Sequence, residues 1–412
     1  MKHKKLFITF TVIFSVLLAL IIFIMIWFWG DRYDDFDDFR SEVAISGLKD
    51  GACPQGITVY KADKITLTDE DGNKEELPKQ NYFFISAYFK NSASRIYVVG
   101  EVSGEIGYAT LKNIDGSDHT GHVGGIATNG HYLWVSSGKT IYVAKNGTTN
   151  TNNVAIDLIK AAKENGSLKF TTSFKANCNA AFLYYYDADD RAPTYPDASD
   201  YLYVGEFYRS GNYETNEIHH LATPNGETNR AFAYEYRVTS SSTAAYGLAP
   251  QTGITDSNDN EVPKIQKIFS IPNEVQGFAR TDKGLVLSVS YGLKNSHIYY
   301  HGFNWGTLTE NDTRIKYTEI AKGTDKNKLY EQGFEYDGAK HASNAPYYDN
   351  SVYVYYIDDS TMLNDYSIPS MSEGLCTTDG RVYVLFESGA KKYSTFVRQV
   401  LNNVYSFIPR KK

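Results

Sequence analysis

The hydrophobic and polar positions divide the chain into one long apolar run near the N-terminus and many short β-like runs after it. Leu6 to Trp29 contains no charged residue in 24 positions. A helix of that length spans roughly 36 Å, enough to cross a hydrocarbon core of about 30 Å. Lysines precede the run and aspartates follow it, so the positive-inside rule places the N-terminus in the cytoplasm.

The pattern therefore predicts a cytoplasmic tail over residues 1–5, a single-span transmembrane signal anchor over 6–29 and a linker over 30–45. The predicted location is the cell membrane, with the bulk of the chain extracellular. A cleaved signal peptide is the alternative, and it leaves the bulk outside as well.

One phrase, a small-residue start followed by a β-rich run, recurs along the rest of the chain. Its copies are PQGITVY from Pro54, GHVGGIATNGHYLWVSS from Gly121, a degenerate NAAFLYYY from Asn179, VQGFARTDKGLVLSVSYG from Val275 and SEGLCTTDGRVYVLFESG from Ser372. Asn-Gly and Asp-Gly dipeptides within these copies favour tight hairpins. Short strands and hairpins at a long period are typical of a β-propeller.

We therefore predict an all-β fold, a β-propeller over residues 46–412. Five blades are favoured, and a Gln-Gly-Phe at Gln332 leaves a sixth open. A β-sandwich with chance similarity between the phrases is the alternative fold. Five repeats require long insertions, which we place at 187–200, 239–263 and 304–350. Val154 to Lys163 is the best candidate for a short helix.

Composition narrows the classes of partner. The formal net charge is -7, which argues against a nucleic-acid-binding surface. Hydrophobic residues make up 42% and the chain has 34 tyrosines, as expected for a folded, strand-rich protein. Cys53 and Cys376 lie near the inner-strand starts of the first and last repeats. Ring closure makes those blades neighbours, so we expect the two cysteines to lie close together, where a disulfide could form.

The residues before the repeated strand starts are polar, although the strands that follow are apolar. In a propeller the first strand of each blade lines the central channel, so rotation about the axis brings equivalent positions together. The sequence predicts a polar ring, which could hold ordered water or a cation or other ligand, formed by Gln55, His122, Asn179, Gln276 and Glu373. Oxygen donors of this kind suit Ca²⁺ better than zinc.

Two further constellations stay open as candidates. His119 and His122 lie three residues apart and could form part of a metal site, although a structural zinc site needs four ligands. Glu206 and Glu387 each come late in a second strand and could be the carboxylate pair of a glycan-acting enzyme.

Ser372-Glu373-Gly374-Leu375 resembles the Glu-Gly strand start of the calcium-dependent lactonase and arylesterase propellers, the gluconolactonase and paraoxonase relatives. That resemblance implies a Ca²⁺ held by Glu373 and Asn179, together with hydrolase activity. The longer phrases from Val275 and Ser372 resemble uncharacterised secreted or membrane-anchored propellers of Gram-positive bacteria. This second resemblance implies a fold and a location, and no activity.

Two main functions compete on these observations. The first is a membrane-anchored recognition or scaffold domain that binds an extracellular protein or glycan. The alternative is a divalent-cation-dependent hydrolase of the lactonase or esterase type that uses the central channel. Propellers support both kinds of function, so the fold alone does not decide between them.

Overall fold

A computed structural model of the chain describes residues 11–22, 33–68, 71–145, 153–188, 199–240, 244–256, 258–303, 305, 314–316, 335–336, 339–340 and 352–412. Within these ranges the chain forms five sheets whose first strands pack against one another in a closed ring. These inner strands are Cys53–Ala62, Gly125–Thr128, Ala180–Tyr186, Val275–Thr281 and Ser372–Thr378. The ring confirms an all-β propeller with five blades; Gln332, the start of a sixth, lies outside the described residues.

Each blade continues outward from its inner strand, mainly by antiparallel pairing. Blade 1 adds Gln80–Tyr88, Arg95–Gly100, Gly104–Lys112 and the parallel edge strand Ser167–Lys169. Blade 2 adds Tyr132–Ser137, Thr140–Lys145 and Thr172–Lys175. Blade 3 adds Tyr201–Glu206, Ala231–Arg237, Ile265–Ile271, Tyr353–Tyr356 and Arg314–Lys316. Blade 4 adds Ser296–Gly302 and Met362–Ile368 outside Gly284–Val289.

Blade 5 takes strands from both ends of the propeller sequence. Arg381–Phe386 and Asn403–Phe407 follow its inner strand, and Arg40–Ala44 completes the sheet by pairing antiparallel with Asn403–Phe407. A shared blade of this kind closes the ring, because separating the two ends would break a strand ladder. Arg40–Ala44 falls in the segment assigned above to the linker, so the propeller extends N-terminally of residue 46.

Shorter elements lie between the blade strands. The hairpins are Ile65–Thr68 with Lys74–Leu77, Leu221–Ala222 with Thr228–Asn229, Pro250–Thr255 with Glu261–Pro263, and Glu335–Tyr336 with Ala339–Lys340. The 3-10 helices are Asp34–Asp38, Leu48–Asp50, Glu217–His219 and Asp359–Thr361. The hairpin at 250–263 lies in one predicted insertion; most of 187–200 and 304–350 is outside the described residues.

The predicted helix is present over Val154–Lys163. Asn153 caps it, since its side-chain oxygen accepts hydrogen bonds from the backbone N–H groups of Ala155 and Ile156. Its buried face packs against blades 1 and 2, within a cluster that includes Leu158 and Ile159. The structure therefore confirms the predicted helix, and its apolar side is the buried one.

The N-terminal part of the chain is helical over residues 11–22. None of the helices in the described ranges is long and apolar enough to cross a membrane. Residues 6–10 and 23–29 of the predicted span lie outside those ranges, so the transmembrane anchor stays a prediction.

The small residue of the recurring phrase is explained by how closely the inner strands approach. A Cβ atom on Gly125 of blade 2 would lie 2.2 Å from the backbone nitrogen of Leu183 in blade 3. A Cβ atom on Gly374 of blade 5 would lie 3.0 Å from the carbonyl oxygen of Gln55 in blade 1. The backbones of neighbouring inner strands therefore nearly touch at these first residues, and only a very small side chain fits between them.

Candidate functional site

We call the end of the channel where the inner strands begin the strand-start mouth, and the opposite end the strand-end mouth. Four inner strands have a β-bulge at their first residues, where the strand register shifts between Pro54 and Gly56, Ala180 and Phe182, Val275 and Gly277, and Ser372 and Leu375. Gln55, Gln276 and Glu373 each lie within such a bulge. A bulge redirects side chains out of the alternating pattern, which separates these polar groups from the apolar residues that follow.

Two of the predicted ring residues meet at the boundary between blades 5 and 1. Gln55 is buried, and its side-chain amide donates a hydrogen bond to Glu387 Oε2 at 3.0 Å. Glu373 is only 4% exposed and shares a hydrogen bond with Glu387, which follows the second strand of blade 5. Cys53 Sγ also donates to Glu387 Oε2, at 3.3 Å. Glu387 is thus the common partner of this cluster.

Two carboxyl groups in this environment cannot both ionise easily. Burial, followed by repulsion from Glu387, raises the pKa of Glu373 well above its usual range. Burial also raises the pKa of Glu387, although the hydrogen bonds from Cys53, Glu373 and Gln55 oppose the increase. The pair therefore retains a proton beyond the pH at which ordinary glutamates lose theirs.

The other predicted ring residues have different contacts, and His122 borders the Glu387 cluster through Tyr88, which is hydrogen-bonded to Cys53. The ring centroid of His122 lies 4.3 Å from that of Tyr88, whose hydroxyl accepts a hydrogen bond from Lys392 at 3.3 Å. Asn179 is exposed beside Gly138 of blade 2, and Gln276 is half-buried in blade 4. Among the described residues no contact joins Asn179 to Glu373.

The described part of the chain contains no group of three or more His, Cys, Asp or Glu side chains that could hold a metal ion. Glu373 faces a second carboxyl group, and the amide of Gln55 donates to that group rather than presenting its oxygen to a shared position. The Ca²⁺ site implied by the lactonase resemblance, with Glu373 and Asn179 as ligands, therefore stays a prediction.

The members of the two other candidate pairs, His119 with His122 and Glu206 with Glu387, lie in different surroundings. His119 Nδ1 lies 2.7 Å from Asn113 Oδ1, and the ring packs against Tyr142 and Phe170. Glu206 is 2% exposed and its Oε1 lies 2.5 Å from Nδ1 of His219.

The backbone N–H of Phe232 in blade 3 also donates to Glu206 Oε1, at 2.9 Å. Glu387 belongs to the blade 5 cluster already described. The contacts of Glu206 and Glu387 thus place each carboxylate with different partners.

The cysteines are free and buried. Cys53 and Cys376 belong to one apolar cluster between blades 1 and 5, as expected from ring closure. No disulfide joins them. Cys53 instead uses its thiol as a hydrogen-bond donor to Glu387.

The strand-end mouth holds a pocket of about 520 Å³. Residues of the inner strands of blades 1, 3, 4 and 5 and of the turns after them line it. Blade 4 adds Tyr300 from its third strand, and blade 5 adds Arg381 and Val382 from its second strand and Ile408 and Pro409 from beyond its third. The lining combines aromatic, hydroxyl, basic and acidic side chains. These include Tyr185, Tyr186, Tyr300, Thr281, Thr377, Lys61, Arg280, Lys283, Arg381, Asp187 and Asp282. A mixed apolar and polar concavity of this size is typical of small-molecule sites.

Arg280, the penultimate residue of the blade 4 inner strand, is the most constrained charged group in this pocket. Its side chain is 2% exposed. The guanidinium carbon lies 3.9 Å from the ring centroid of Tyr186 and 4.1 Å from that of Trp305. Nη1 donates to the Tyr203 hydroxyl at 3.1 Å. Two aromatic faces and one hydroxyl therefore fix the plane of the guanidinium.

The repeat contained a signal for this residue. Three positions after the small residue, the other copies carry Val59, Thr128, Tyr184 and Thr377, whereas blade 4 carries Arg280. A charge at a position that is otherwise uncharged marks a special environment. Tyr203 and Trp305, which define that environment, lie outside the recurring phrase and could not be aligned with it.

Comparisons with known proteins place few constraints on function. No family model matches the sequence, and no curated protein matches it. Solved structures that the fold resembles include the GH43_1 enzyme from Xanthomonas citri complexed with xylose, at a TM-score of 0.37 and 10% identity, over 91% of this chain and 92% of that one.

The same enzyme complexed with xylotriose gives a TM-score of 0.33 at 11% identity, over 87% of this chain and 91% of that one. Another structure of the enzyme gives a TM-score of 0.32 at 10% identity, over 87% of this chain and 91% of that one. The five-bladed assignment rests on the ring of inner strands itself.

Proposed function

We propose that this chain is a membrane-anchored, extracytoplasmic β-propeller that recognises a glycan in the pocket of the strand-end mouth. The uncharged run from Leu6 to Trp29, with lysines before it and aspartates after it, supports the anchor and its orientation. The pocket of about 520 Å³ is the observation that carries the binding function.

The lining of the pocket favours a saccharide over a flat protein surface. Tyr185 supplies a half-buried aromatic ring on which the apolar C–H side of a sugar ring can stack, and the buried Tyr186 and Tyr300 add apolar lining. Thr281 and Thr377 add hydroxyl groups. Protein partners usually cover a broad surface of roughly 800 Å² per side, whereas a concave pocket of this volume suits a few sugar units.

Glycan binding by the full-length protein in detergent micelles tests this proposal. We expect a saccharide panel to contain ligands whose affinity falls roughly tenfold or more when Tyr185→Ala removes one aromatic face. Tyr291→Ala is the matched control, because Tyr291 is a half-buried tyrosine of blade 4 near the strand-start mouth with its hydroxyl also hydrogen-bonded. Equal losses in both variants, or no saccharide binding at all, would contradict the proposal.

The divalent-cation-dependent hydrolase remains the alternative. The observation in its favour is a pair of adjacent carboxyl groups at the strand-start mouth, the buried Glu373 and the half-buried Glu387. Calorimetric titration with Ca²⁺ tests it directly. Saturable heat in the wild type that Glu373→Gln removes would support a cation site there, and no heat in the wild type would remove the cation on which this alternative depends.

A further inference from the structure

We propose that the ligand of the strand-end pocket is an acidic saccharide, and that Arg280 selects it by binding its carboxylate or phosphate group. This inference rests on the proposed glycan-binding function and names the chemical class of the ligand. It makes Arg280 the specificity-determining residue of the pocket.

The charge balance around Arg280 favours an anionic ligand. Within the described ranges the only hydrogen bond of the Arg280 side chain is the one from Nη1 to the Tyr203 hydroxyl, and Nε is buried without a hydrogen-bond partner. No carboxylate of the described residues forms an ion pair with it. A buried, permanently charged guanidinium without a counterion is costly, so an anionic ligand group at this position is favoured.

The carboxylate that the Tyr203 hydroxyl links to Arg280 is already paired with another residue. Glu235 is fully buried, and its two oxygens accept hydrogen bonds from Lys267 at 2.6 Å and from the Tyr203 hydroxyl at 2.7 Å. Lys267 therefore balances the charge of Glu235. The positive charge of Arg280 is left for the pocket that it lines.

The second support is the orientation of the guanidinium. The rings of Tyr186 and Trp305 lie against the guanidinium, with centroids 3.9 and 4.1 Å from its carbon. Its Nε carries no hydrogen bond, so an N–H edge of the group remains for a ligand in the pocket. The edge of a guanidinium carries parallel N–H donors whose spacing matches the two oxygens of a carboxylate or phosphate. The aromatic clamp thus prepares the group for oxyanion recognition before the ligand arrives.

The rest of the lining is close to balanced in charge. Of the other basic residues, Lys61 pairs with Asp379 at 2.9 Å and Arg381 lies 3.9 Å from Glu42. Lys283 is a further basic residue of the lining, and Asp187 and Asp282 are its acidic residues. The recognition of an anion in this pocket therefore depends on Arg280 itself.

Calorimetry on the full-length protein in detergent micelles tests the inference with three probes: glucose, glucuronate and glucose 6-phosphate. For the wild type we expect the two acidic sugars to bind roughly tenfold or more tightly than glucose, with affinity that falls as the salt concentration rises. The stronger of the two acidic probes identifies the anion as a carboxylate or a phosphate. Equal affinity for glucose and both acidic sugars would overturn the inference.

Two substitutions separate charge from geometry. Arg280→Gln should reduce the affinity for the acidic sugar to that for glucose, and Arg280→Lys should give an intermediate affinity, because lysine keeps the charge but lacks the planar fork. Arg209→Gln is the matched control: Arg209 also stacks on a tyrosine, Tyr291 at 4.0 Å, and pairs with Glu274. Near-ultraviolet circular dichroism checks that each variant is folded.

The outcomes distinguish this inference from the proposed function. If glucose binds and Tyr185→Ala removes that binding while the acidic sugars gain nothing, the pocket binds glycans but Arg280 does not select acidic ones. If none of the sugars in either experiment binds, both proposals fail. Unchanged binding of the acidic sugar by folded Arg280→Gln also overturns the role of Arg280.

Discussion

The carboxyl pair at the strand-start mouth predicts a specific effect of Glu373→Gln on the pH dependence of stability. Glu373 is buried, and burial together with the adjacent Glu387 raises its pKa well above the usual range. Glutamine has nearly the same shape and can still hydrogen-bond to Glu387. The substitution therefore removes a titrating group with little change in packing.

The sign and size of the effect follow from proton linkage. Below about pH 4, near the pKa of an ordinary unfolded glutamate, both states hold the proton and Glu373 adds no pH dependence. Between that value and the raised pKa of the folded state, only the folded protein holds it. The free energy of unfolding of the wild type therefore falls by about 1.4 kcal/mol per pH unit from this group as the pH rises. Glu373→Gln should lack this contribution.

Urea unfolding of the full-length protein in micelles, at half-unit steps from pH 4.5 to 7.5, measures the effect. The difference in unfolding free energy between Glu373→Gln and the wild type should grow in favour of the variant as the pH rises. Titrating residues other than the adjacent Glu387 cancel in this difference. Glu105→Gln, at an exposed position on an outer strand of blade 1, should give a flat difference. A flat difference for Glu373→Gln as well would refute the shared proton.

Three other predictions concern packing, thiols and topology. Gly125→Ala should destabilise the propeller by about 1–3 kcal/mol or more in thermal melts, because its Cβ would lie 2.2 Å from a backbone nitrogen. Gly302→Ala is the control and should change the melting temperature little, since its nearest contact is 3.4 Å away on the flexible Leu363 side chain. Equal melting temperatures of the two variants would contradict the close approach of the strands at Gly125. The three cysteines should react with Ellman's reagent only after unfolding, because all are buried and burial raises their pKa values; rapid reaction of the folded protein would count against this. Protease added to intact cells should digest the chain beyond residue 40, and complete protection of that part would rule out the proposed orientation.

The propeller architecture could be predicted because the close packing of the inner strands requires a recurring local sequence pattern. Strands that approach as closely as Gly125 and Leu183 require a very small residue at one position, and that residue recurs in register with the apolar run after it. The outer strand of blade 5 has no such sequence pattern. Arg40–Ala44 pairs with residues at the far end of the propeller, and a five-residue strand with one buried position has too little pattern to show this.

The candidate sites were less accessible to sequence reasoning, because contacts between blades depend on three-dimensional placement. The repeat indicated that Gln55 and Glu373 occupy equivalent positions, but their common partner, Glu387, comes from a second strand. The environment of Arg280 likewise depends on Tyr203, in the second strand of blade 3, and on Trp305, beyond the third strand of blade 4.

The two mouths differ in how much room the inner strands leave between them. At the strand-start mouth the backbones of neighbouring blades are nearly in contact: a Cβ on Gly374 would lie 3.0 Å from Gln55 O. Polar groups there are directed to one another across a blade boundary. At the strand-end mouth the inner strands carry Tyr186, Arg280 and Thr377 around a cavity of about 520 Å³. A ligand needs both free volume and an unsatisfied polar group, and the geometry places the two together at the strand-end mouth.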